Sequence, residues 1–237
     1  SSDNYQLKNR KDAVQALLNF AKRFEYNRQP GDAPMANGLF GHISYDGVEY
    51  FEDIEIQEKN ENTAIPSIRY FVYRYVIAIN HFKDDMVIYH HQYLENEKDT
   101  GLEKLEFLLN MPHYTTKPFK ITGDEQSNVT DDEMRATINT CIKHCLRGDV
   151  FQIVPSRRYS RTYTGDDFQI YRALRSVNPS PYMFYFDYET YRVFGASPEK
   201  QISIKSVSPF SETDLKNNNS ERWINKLAEF NINIDAP

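Results

Sequence analysis

The chain has 237 residues, of which 40% are hydrophobic, 26% charged and 14% aromatic, enough core-forming material for one large or two small folded domains. Its 28 Lys and Arg residues against 34 Asp and Glu give a net charge of −6, so it lacks the cationic excess that binds nucleic acid or anionic lipid. Its apolar runs are far shorter than the roughly 20 residues that span a bilayer, and its first residues show no signal-peptide core. We therefore expect a cytoplasmic protein with no nucleic-acid or membrane partner.

The first half of the chain predicts a helix followed by short strands. Apolar residues at helical spacing predict an amphipathic helix over residues 10–25. The other predicted elements are a strand with a turn over 38–51, a solvated acidic loop over 49–61, an antiparallel hairpin of 69–79 with 86–94, and a short helix over 100–109. The Pro, Thr, Gly and Ser residues of segment 112–128 are typical of a domain boundary.

The second half gives stronger local signals. Thr130 and Glu133 have the spacing of a helix capping box, and Gly148 is a typical C-terminal stop, so we predict a helix between them. The elements predicted after it are strands over 150–155 and 158–163, a helix over 167–177 buried through Phe168, Tyr171, Leu174 and Val177, and an aromatic hairpin of 182–187 with 191–196.

Cysteine and histidine residues give only weak metal-site patterns. Cys141 and Cys145 lie four apart in one predicted helix, a spacing that favours reduced neighbouring thiols over a disulfide framework. Adding His144 gives C-x-x-H-C, which leaves a zinc tetrahedron incomplete. His90 and His91 are neighbours on a predicted strand and point to opposite faces, so they cannot share one ion. We expect ordinary structural roles for these residues.

Three polar or aromatic positions have both a structural and a functional interpretation. Glu199 follows the predicted aromatic hairpin, where burial would raise the pKa of its carboxyl and let it donate a proton to a leaving hydroxyl; the alternative is a solvated strand end. Gln152 lies on the predicted strand 150–155 and offers amide donors and an acceptor, or is simply a buried, hydrogen-bonded glutamine. Residues 178–183 form a proline-set turn that leads either into a flat hydrophobic pocket or into a strand.

Four segments, taken in their order along the chain, favour the functional interpretations of these positions. They are GLFGHISYD at 38–46, GDVFQIVPSRRYS at 148–160, NPSPYMFYF at 178–186 and FGASPE at 194–199. From about Gly38 to Lys205 the chain resembles component I of anthranilate synthase, one of the chorismate-utilising enzymes. The resemblance implies a truncated α+β fold in which two antiparallel sheets face each other with helices outside.

The resemblance also implies a domain organisation. Residues 1–128 correspond to the N-terminal domain and residues 129–205 to the first part of the chorismate-binding domain. Residues 206–237 are unlike the family, and we expect them to be a frameshifted or mispredicted end. In the family, such a sequence continues through a Gly-Thr loop, Mg²⁺-binding glutamates and a histidine, so the Mg²⁺ cofactor that the resemblance implies would have no ligands in this chain.

The implied function is lyase chemistry in tryptophan biosynthesis. Chorismate and ammonia, the latter released from glutamine by an amidotransferase subunit (component II), give anthranilate and pyruvate. Glu199 matches the family glutamate beside the chorismate ring. Gln152 stands where water-using relatives carry a lysine base, which favours an ammonia-using member. Pro181, Tyr182 and Met183 match the pocket for tryptophan, the feedback inhibitor.

Two alternatives to an active anthranilate synthase remain open. One is component I of an aminodeoxychorismate synthase, whose members usually differ at residues 181–183. The other is a non-catalytic fragment that keeps only interaction surfaces for an amidotransferase or a ligand. Because the metal ligands of the family are missing from this sequence, we expect an incomplete and inactive chain. His42, where the family commonly has a tyrosine, affects no predicted catalytic role.

Overall fold

A computed structural model of the chain describes residues 10–24, 29–56, 65–93, 101–111 and 117–199. The helices within these ranges are α1 (Arg10–Lys22), α2 (Leu102–Leu109), α3 (Asp131–Arg147) and α4 (Phe168–Val177), with a 3₁₀ helix at Tyr45–Tyr50. The strands are β1 (Phe40–Ile43), β2 (Ile68–Phe71), β3 (Tyr75–Asn80), β4 (Asp85–His90), β5 (Phe119–Ile121), β6 (Gln126–Ser127), β7 (Tyr159–Ser160), β8 (Tyr163–Gly165), β9 (Tyr182–Asp187) and β10 (Arg192–Ser197). The predicted α+β class is confirmed, while the predicted tail 206–237 and residues 57–64 of the predicted acidic loop lie outside the described residues.

The described strands form five two-stranded antiparallel sheets, pairing β1 with β2, β3 with β4, β5 with β8, β6 with β7 and β9 with β10. The chain divides into two compact units, residues 1–114 and 115–237. β5 and β6 precede residue 129, the predicted start of the second domain, but they pair with β8 and β7 and so are part of the second unit.

The first unit is built on the predicted hairpin of β3 and β4. Alternation along β3 leaves Val76 and Ala78 buried and Ile77 and Ile79 exposed, as expected for a strand with one covered face. In the neighbouring β1–β2 pair, a Cβ atom on Gly41 would lie 1.9 Å from the carbonyl oxygen of Arg69. The backbones approach too closely there for any side chain.

In the second unit, α3 confirms the predicted capping box. The Glu133 N–H donates to Thr130 Oγ1 at 3.3 Å, and the Thr130 N–H donates to Glu133 Oε2 at 2.7 Å. The Thr130 N–H, and secondly the Thr130 hydroxyl, which donates to the same Oε2 at 2.8 Å, lower the pKa of Glu133, because both bonds favour its charged form. Gly148 ends the helix in the left-handed region at φ 80°, as predicted.

Three predictions in the second unit differ from the structure. Residues 152–158 contain no strand, although a strand was expected over 150–155, and the strand predicted over 158–163 is reduced to β7 and the start of β8. Strand propensity is expressed only where a second strand is available for pairing, and none of the described residues pairs with 151–157. Val177 was expected to be buried and is 85% exposed, since it lies in the last turn of α4.

The close approach of Gly165 to β5 gives a stability prediction. Gly165 has φ +99°, and a Cβ there would lie 1.9 Å from the carbonyl oxygen of Pro118. We expect Gly165→Ala to lower the free energy of unfolding, measured by urea denaturation, by about 2–3 kcal/mol, since backbone strain and a steric clash add.

Gly148→Ala is the matched control for this prediction. Gly148 also has positive φ, at +80°, but no atom lies within 4 Å of the position that a Cβ would occupy, so only the conformational cost of about 1 kcal/mol applies. If the two variants lost the same free energy of unfolding, the close approach of Gly165 to Pro118 would not contribute to stability.

Candidate functional site

The β9–β10 hairpin positions two of the three groups of predicted site residues. In its register Tyr182 lies opposite Ser197 and Met183 opposite Ala196. Glu199 follows β10 by two residues, and the Ser197 hydroxyl donates to its backbone carbonyl at 3.1 Å. The predicted tryptophan segment and the predicted acid therefore lie at the same end of one hairpin.

Glu199 is exposed, so the predicted shielding of its carboxyl by the aromatic hairpin is wrong. The hairpin aromatics pack toward α4 and toward the turn of the hairpin instead. Tyr185 stacks on Phe194 with ring centroids 5.7 Å apart, and Phe186 stacks on Tyr188 at 5.8 Å. Tyr188, at the turn end of the hairpin, is 4% exposed, whereas the end that carries Glu199 has no comparable cover among the described residues.

Gln152 is also exposed, in the segment that lacks the predicted strand. Arg157, near the end of this segment, contacts residues at and just before the start of α3. Its Nε donates to Ser127 Oγ at 2.7 Å, its Nη1 donates to Asp131 Oδ1 at 2.6 Å, and its guanidinium lies 4.6 Å from the Tyr159 ring centroid. The hydrogen bond and the charge of Arg157 lower the pKa of Asp131. Arg157 is thus a structural link, and no described contact joins Gln152 to the hairpin.

The start of β9 combines apolar surface with an unused hydroxyl. Tyr182 is 39% exposed and Met183 is half-buried, while Pro181 is exposed. Beside them, Ser180 Oγ is buried and has no hydrogen-bond partner among the described residues. A buried hydroxyl without a partner is costly, so this end of the hairpin has a donor available for a ligand.

Sequence reasoning missed Asp167, the most connected side chain near the hairpin. Its carboxylate accepts hydrogen bonds from Tyr185 Oη at 3.0 Å and Tyr163 Oη at 3.2 Å, and Arg192 Nε lies 3.5 Å from Oδ2. Only 14% of the side chain is exposed. Asp167 immediately precedes α4, where an acidic residue is typical of a helix cap, and this local signal gives no indication of distant partners.

Asp166, and not Asp167, makes the side-chain hydrogen bond at the start of α4. The Phe168 N–H donates to Asp166 Oδ1 at 3.1 Å, while Asp167 makes no side-chain capping bond. Edge-to-face packing of Phe168 on Tyr185, with centroids 5.1 Å apart, then holds α4 against the hairpin. Burial, and secondly the hydrogen bond to Asp167, raise the pKa of Tyr185 to about 12.

The polar cluster at the end of α3 joins Asp149 to His144 and Arg147. His144 Nδ1 lies 2.8 Å from Asp149 Oδ2, which also pairs with Arg147. Cys141 and Cys145 are free thiols, as predicted. Across the described residues, no group of three or more His, Cys, Asp and Glu side chains has the arrangement of a metal site.

A sequence profile of the chorismate binding enzyme family matches residues 1–211. The chain belongs to this family. It is 31% identical over 176 residues to the probable anthranilate synthase component 1 of Schizosaccharomyces pombe, covering 69% of this chain and 36% of that one. It is 31% identical over 183 residues to anthranilate synthase component 1 of Saccharomyces cerevisiae, covering 72% of this chain and 36% of that one.

The fold is also similar to a solved member of the family. The crystal structure of anthranilate synthase component I from Streptococcus pneumoniae TIGR4 matches with a TM-score of 0.63 and 26% identity, over 79% of this chain and 45% of that chain. The chain thus spans roughly a third of the two yeast relatives and less than half of the solved one. Among the described helices, none has the length and apolar character needed to cross a membrane.

Burial, and secondly the hydrogen bond to Asp167, predict the alkaline behaviour of Tyr185. Since the pKa of Tyr185 is raised from 10.0 to about 12, the stability from its neutral form is complete below pH 10 and is lost as the pH rises through about 12. We expect tyrosinate absorbance to show a late-titrating step that Tyr185→Phe removes. In Asp167→Asn this step should move toward lower pH but stay above pH 10, because burial is the larger cause of the shift.

Tyr45→Phe provides the control, since Tyr45 is 84% exposed and its replacement should leave the late step in place. An unchanged late step in Tyr185→Phe would show that another tyrosine carries the raised pKa.

Proposed function

We propose that this chain forms part of an anthranilate synthase component I, which converts chorismate and ammonia to anthranilate and pyruvate. The observation that carries the proposal is the structural match to the Streptococcus pneumoniae component I over 79% of this chain. The yeast relatives bear the same name. The chain spans less than half of these proteins, so turnover is proposed for the complete family fold, with ammonia supplied by a component II amidotransferase subunit.

In this proposal Glu199 is the general acid. A carboxylic acid that gives a proton to the departing hydroxyl of chorismate must hold that proton near neutral pH, which requires shielding from water. Glu199 is exposed among the described residues, so this shielding has to come from other parts of the complete fold. What supports this assignment is that Glu199 lies two residues after β10, at the end of the hairpin that also carries residues 181–183.

Gln152 supports ammonia as the nucleophile. An amide side chain can donate and accept hydrogen bonds but cannot remove a proton from water, whereas ammonia is a nucleophile without such a base. We assign Gln152 to orienting the substrate or the nucleophile. The described residues offer no metal cluster, so no step is assigned to Mg²⁺ through the side chains of this chain.

We also propose that the start of β9 binds tryptophan as a regulator. Pro181, Tyr182 and Met183 present proline, aromatic and thioether surface of the kind that packs on an indole ring. Ser180 Oγ, buried and without a described partner, adds a hydrogen-bonding group beside them. Binding here would act on the same end of the hairpin that carries Glu199.

The cytoplasmic location expected from the sequence is part of the same proposal. Relatives from rice and Arabidopsis thaliana are named as chloroplastic, whereas the names of the two yeast relatives give no location.

The activity proposal predicts anthranilate as the product. We expect the purified chain alone to give no anthranilate fluorescence with chorismate, Mg²⁺ and ammonium. Co-expression with the part of the Streptococcus pneumoniae component I that this chain does not match should give fluorescent product. Glu199→Gln should lower that rate by about 100-fold or more, the usual contribution of a general acid.

Glu189→Gln is the matched control, because Glu189 is an exposed glutamate at the turn of the same hairpin. Turnover by the 237-residue chain alone, a full rate in Glu199→Gln, or an aminodeoxychorismate product in place of anthranilate would each contradict the proposal.

The regulatory proposal predicts tryptophan binding that depends on Tyr182. Calorimetric titration of L-tryptophan into the same co-expressed protein should give an affinity that Tyr182→Ala lowers about 10-fold or more, because an aromatic contact in a binding pocket is lost. Tyr45→Ala, at an exposed tyrosine of the first unit, should leave the affinity unchanged. Unchanged affinity in Tyr182→Ala would place any tryptophan site elsewhere.

A further inference from the structure

Asn37 and Gly38 are the only Asn-Gly pair in the 237-residue sequence, and they lie between a buried anchor and β1. The anchor is Ala36, which is 1% exposed and whose carbonyl oxygen lies 2.7 Å from Nε2 of the buried His91. β1 begins at Phe40. The pair itself belongs to neither a helix nor a strand, so it is a short link held at both ends.

The Asn37 side chain is turned toward the next peptide group. The Gly38 N–H donates to Asn37 Oδ1 at 2.8 Å. Because Cγ is bonded to this oxygen, the side-chain carbonyl carbon lies beside the peptide nitrogen of Gly38. Attack of a peptide nitrogen on the preceding Cγ closes a small cyclic imide, which is the route by which asparagine loses its amide group.

Gly38 leaves its peptide nitrogen accessible for this attack. It is exposed, and no atom of the described residues lies within 4 Å of the position that a Cβ would occupy. It precedes β1 by two residues, so its N–H is outside the β1–β2 ladder. Glycine also adopts unusual backbone angles at little cost, which ring closure requires. Sequence and structure therefore favour the same reaction at this pair.

We propose that Asn37 is a site of spontaneous deamidation, and that its isoaspartate product weakens the pairing of β1. The Gly38 nitrogen forms a bond to Asn37 Cγ, the Cγ–Nδ2 bond breaks, and the Gly38 amide proton leaves with Nδ2 as ammonia. One solvent water then opens the imide. Opening at Cγ leaves aspartate, while opening at the main-chain carbonyl leaves isoaspartate, in which the backbone runs through the former side chain.

The effect on β1 follows from the length of the link. Isoaspartate adds one carbon to the backbone between Ala36 and β1, a length of about 1.5 Å. Ala36 is buried, and a Cβ on Gly41 would lie 1.9 Å from the carbonyl oxygen of Arg69, so both ends are packed closely. The aspartate product instead adds only a negative charge at a half-buried position. The two products therefore differ in their effect on β1.

The first experiment incubates the complete chain at mildly alkaline pH, where the peptide proton is removed more easily. It follows a mass gain of about 1 Da in the tryptic peptide 29–59, whose only asparagine is Asn37. We expect the folded chain to react within about 10-fold of the rate of a synthetic peptide of residues 33–42, because the fold leaves the pair open. A rate below that range would overturn the proposal. Labelling by an isoaspartate-specific methyltransferase identifies the isoaspartate fraction.

Gly38→Ala is the matched variant. It should lower the rate about 10-fold or more, because a Cβ hinders ring closure. It should also fold, since Gly38 has no positive φ and open space at the Cβ position. Asn110 and Asn139 are internal controls, as both are exposed but lie at the end of α2 and within α3, and we expect them to stay intact. Equal rates at the three asparagines, or an unchanged rate in Gly38→Ala, would contradict the proposal.

Freshly purified Asn37→Asp separates the added charge from the added backbone carbon. Peptides that span residue 37 and β1 separate by isomer on chromatography, so hydrogen exchange is read on the isoaspartate form alone. The amides of β1 should exchange about 10-fold faster or more in that form than in Asn37→Asp, because the strand pairing is weakened. The amides of β9, in the other unit, should exchange equally in both. Equal exchange at β1, or faster exchange at β9 as well, would overturn the proposed local effect.

Discussion

The Asp167 carboxylate is the interaction on which the second unit depends. A charged group with 14% of its side chain exposed must be matched by nearby donors, and Tyr163, Tyr185 and Arg192 provide them. These donors come from β8, β9 and β10, while Asp167 itself directly precedes α4. One side chain therefore fixes the helix, a strand of the neighbouring sheet and the hairpin. The hairpin carries the start of β9 and Glu199, so the position of the candidate site follows from this carboxylate.

Local interactions explain which parts of the fold could be predicted. The limits of α3 depend on Thr130, Glu133 and Gly148, which act within a few residues of each helix end. The β9–β10 hairpin likewise has a short turn and aromatic strands that pair with each other. The strand predicted over 150–155 was wrong because its residues have strand propensity, whereas pairing requires a partner that propensity cannot supply.

At the candidate site too, features set by local sequence were predicted, and features set by tertiary contacts were missed. Motifs located Glu199, Gln152 and residues 181–183, and the hairpin register then placed Glu199 and 181–183 at one end. The exposure of Glu199 could not be read from the motif, because burial depends on surfaces contributed from elsewhere. Asp167 was missed since its sequence context is that of a helix cap, while its partners are set by tertiary packing.

The unpaired backbone of 151–157 and the exposed carboxyl of Glu199 leave the two proposed site groups without fixed surroundings among the described residues. Side chains alternate along a paired strand, so pairing of 151–157 would turn Phe151 and Ile153 to one face and Gln152 and Val154 to the other. Until a second strand fixes this alternation, the direction of the Gln152 amide is not set by the backbone. A carboxylic acid likewise holds a proton near neutral pH only where water is excluded. The roles proposed for Gln152 and Glu199 therefore both require surfaces beyond the described residues, where each of the two side chains is exposed.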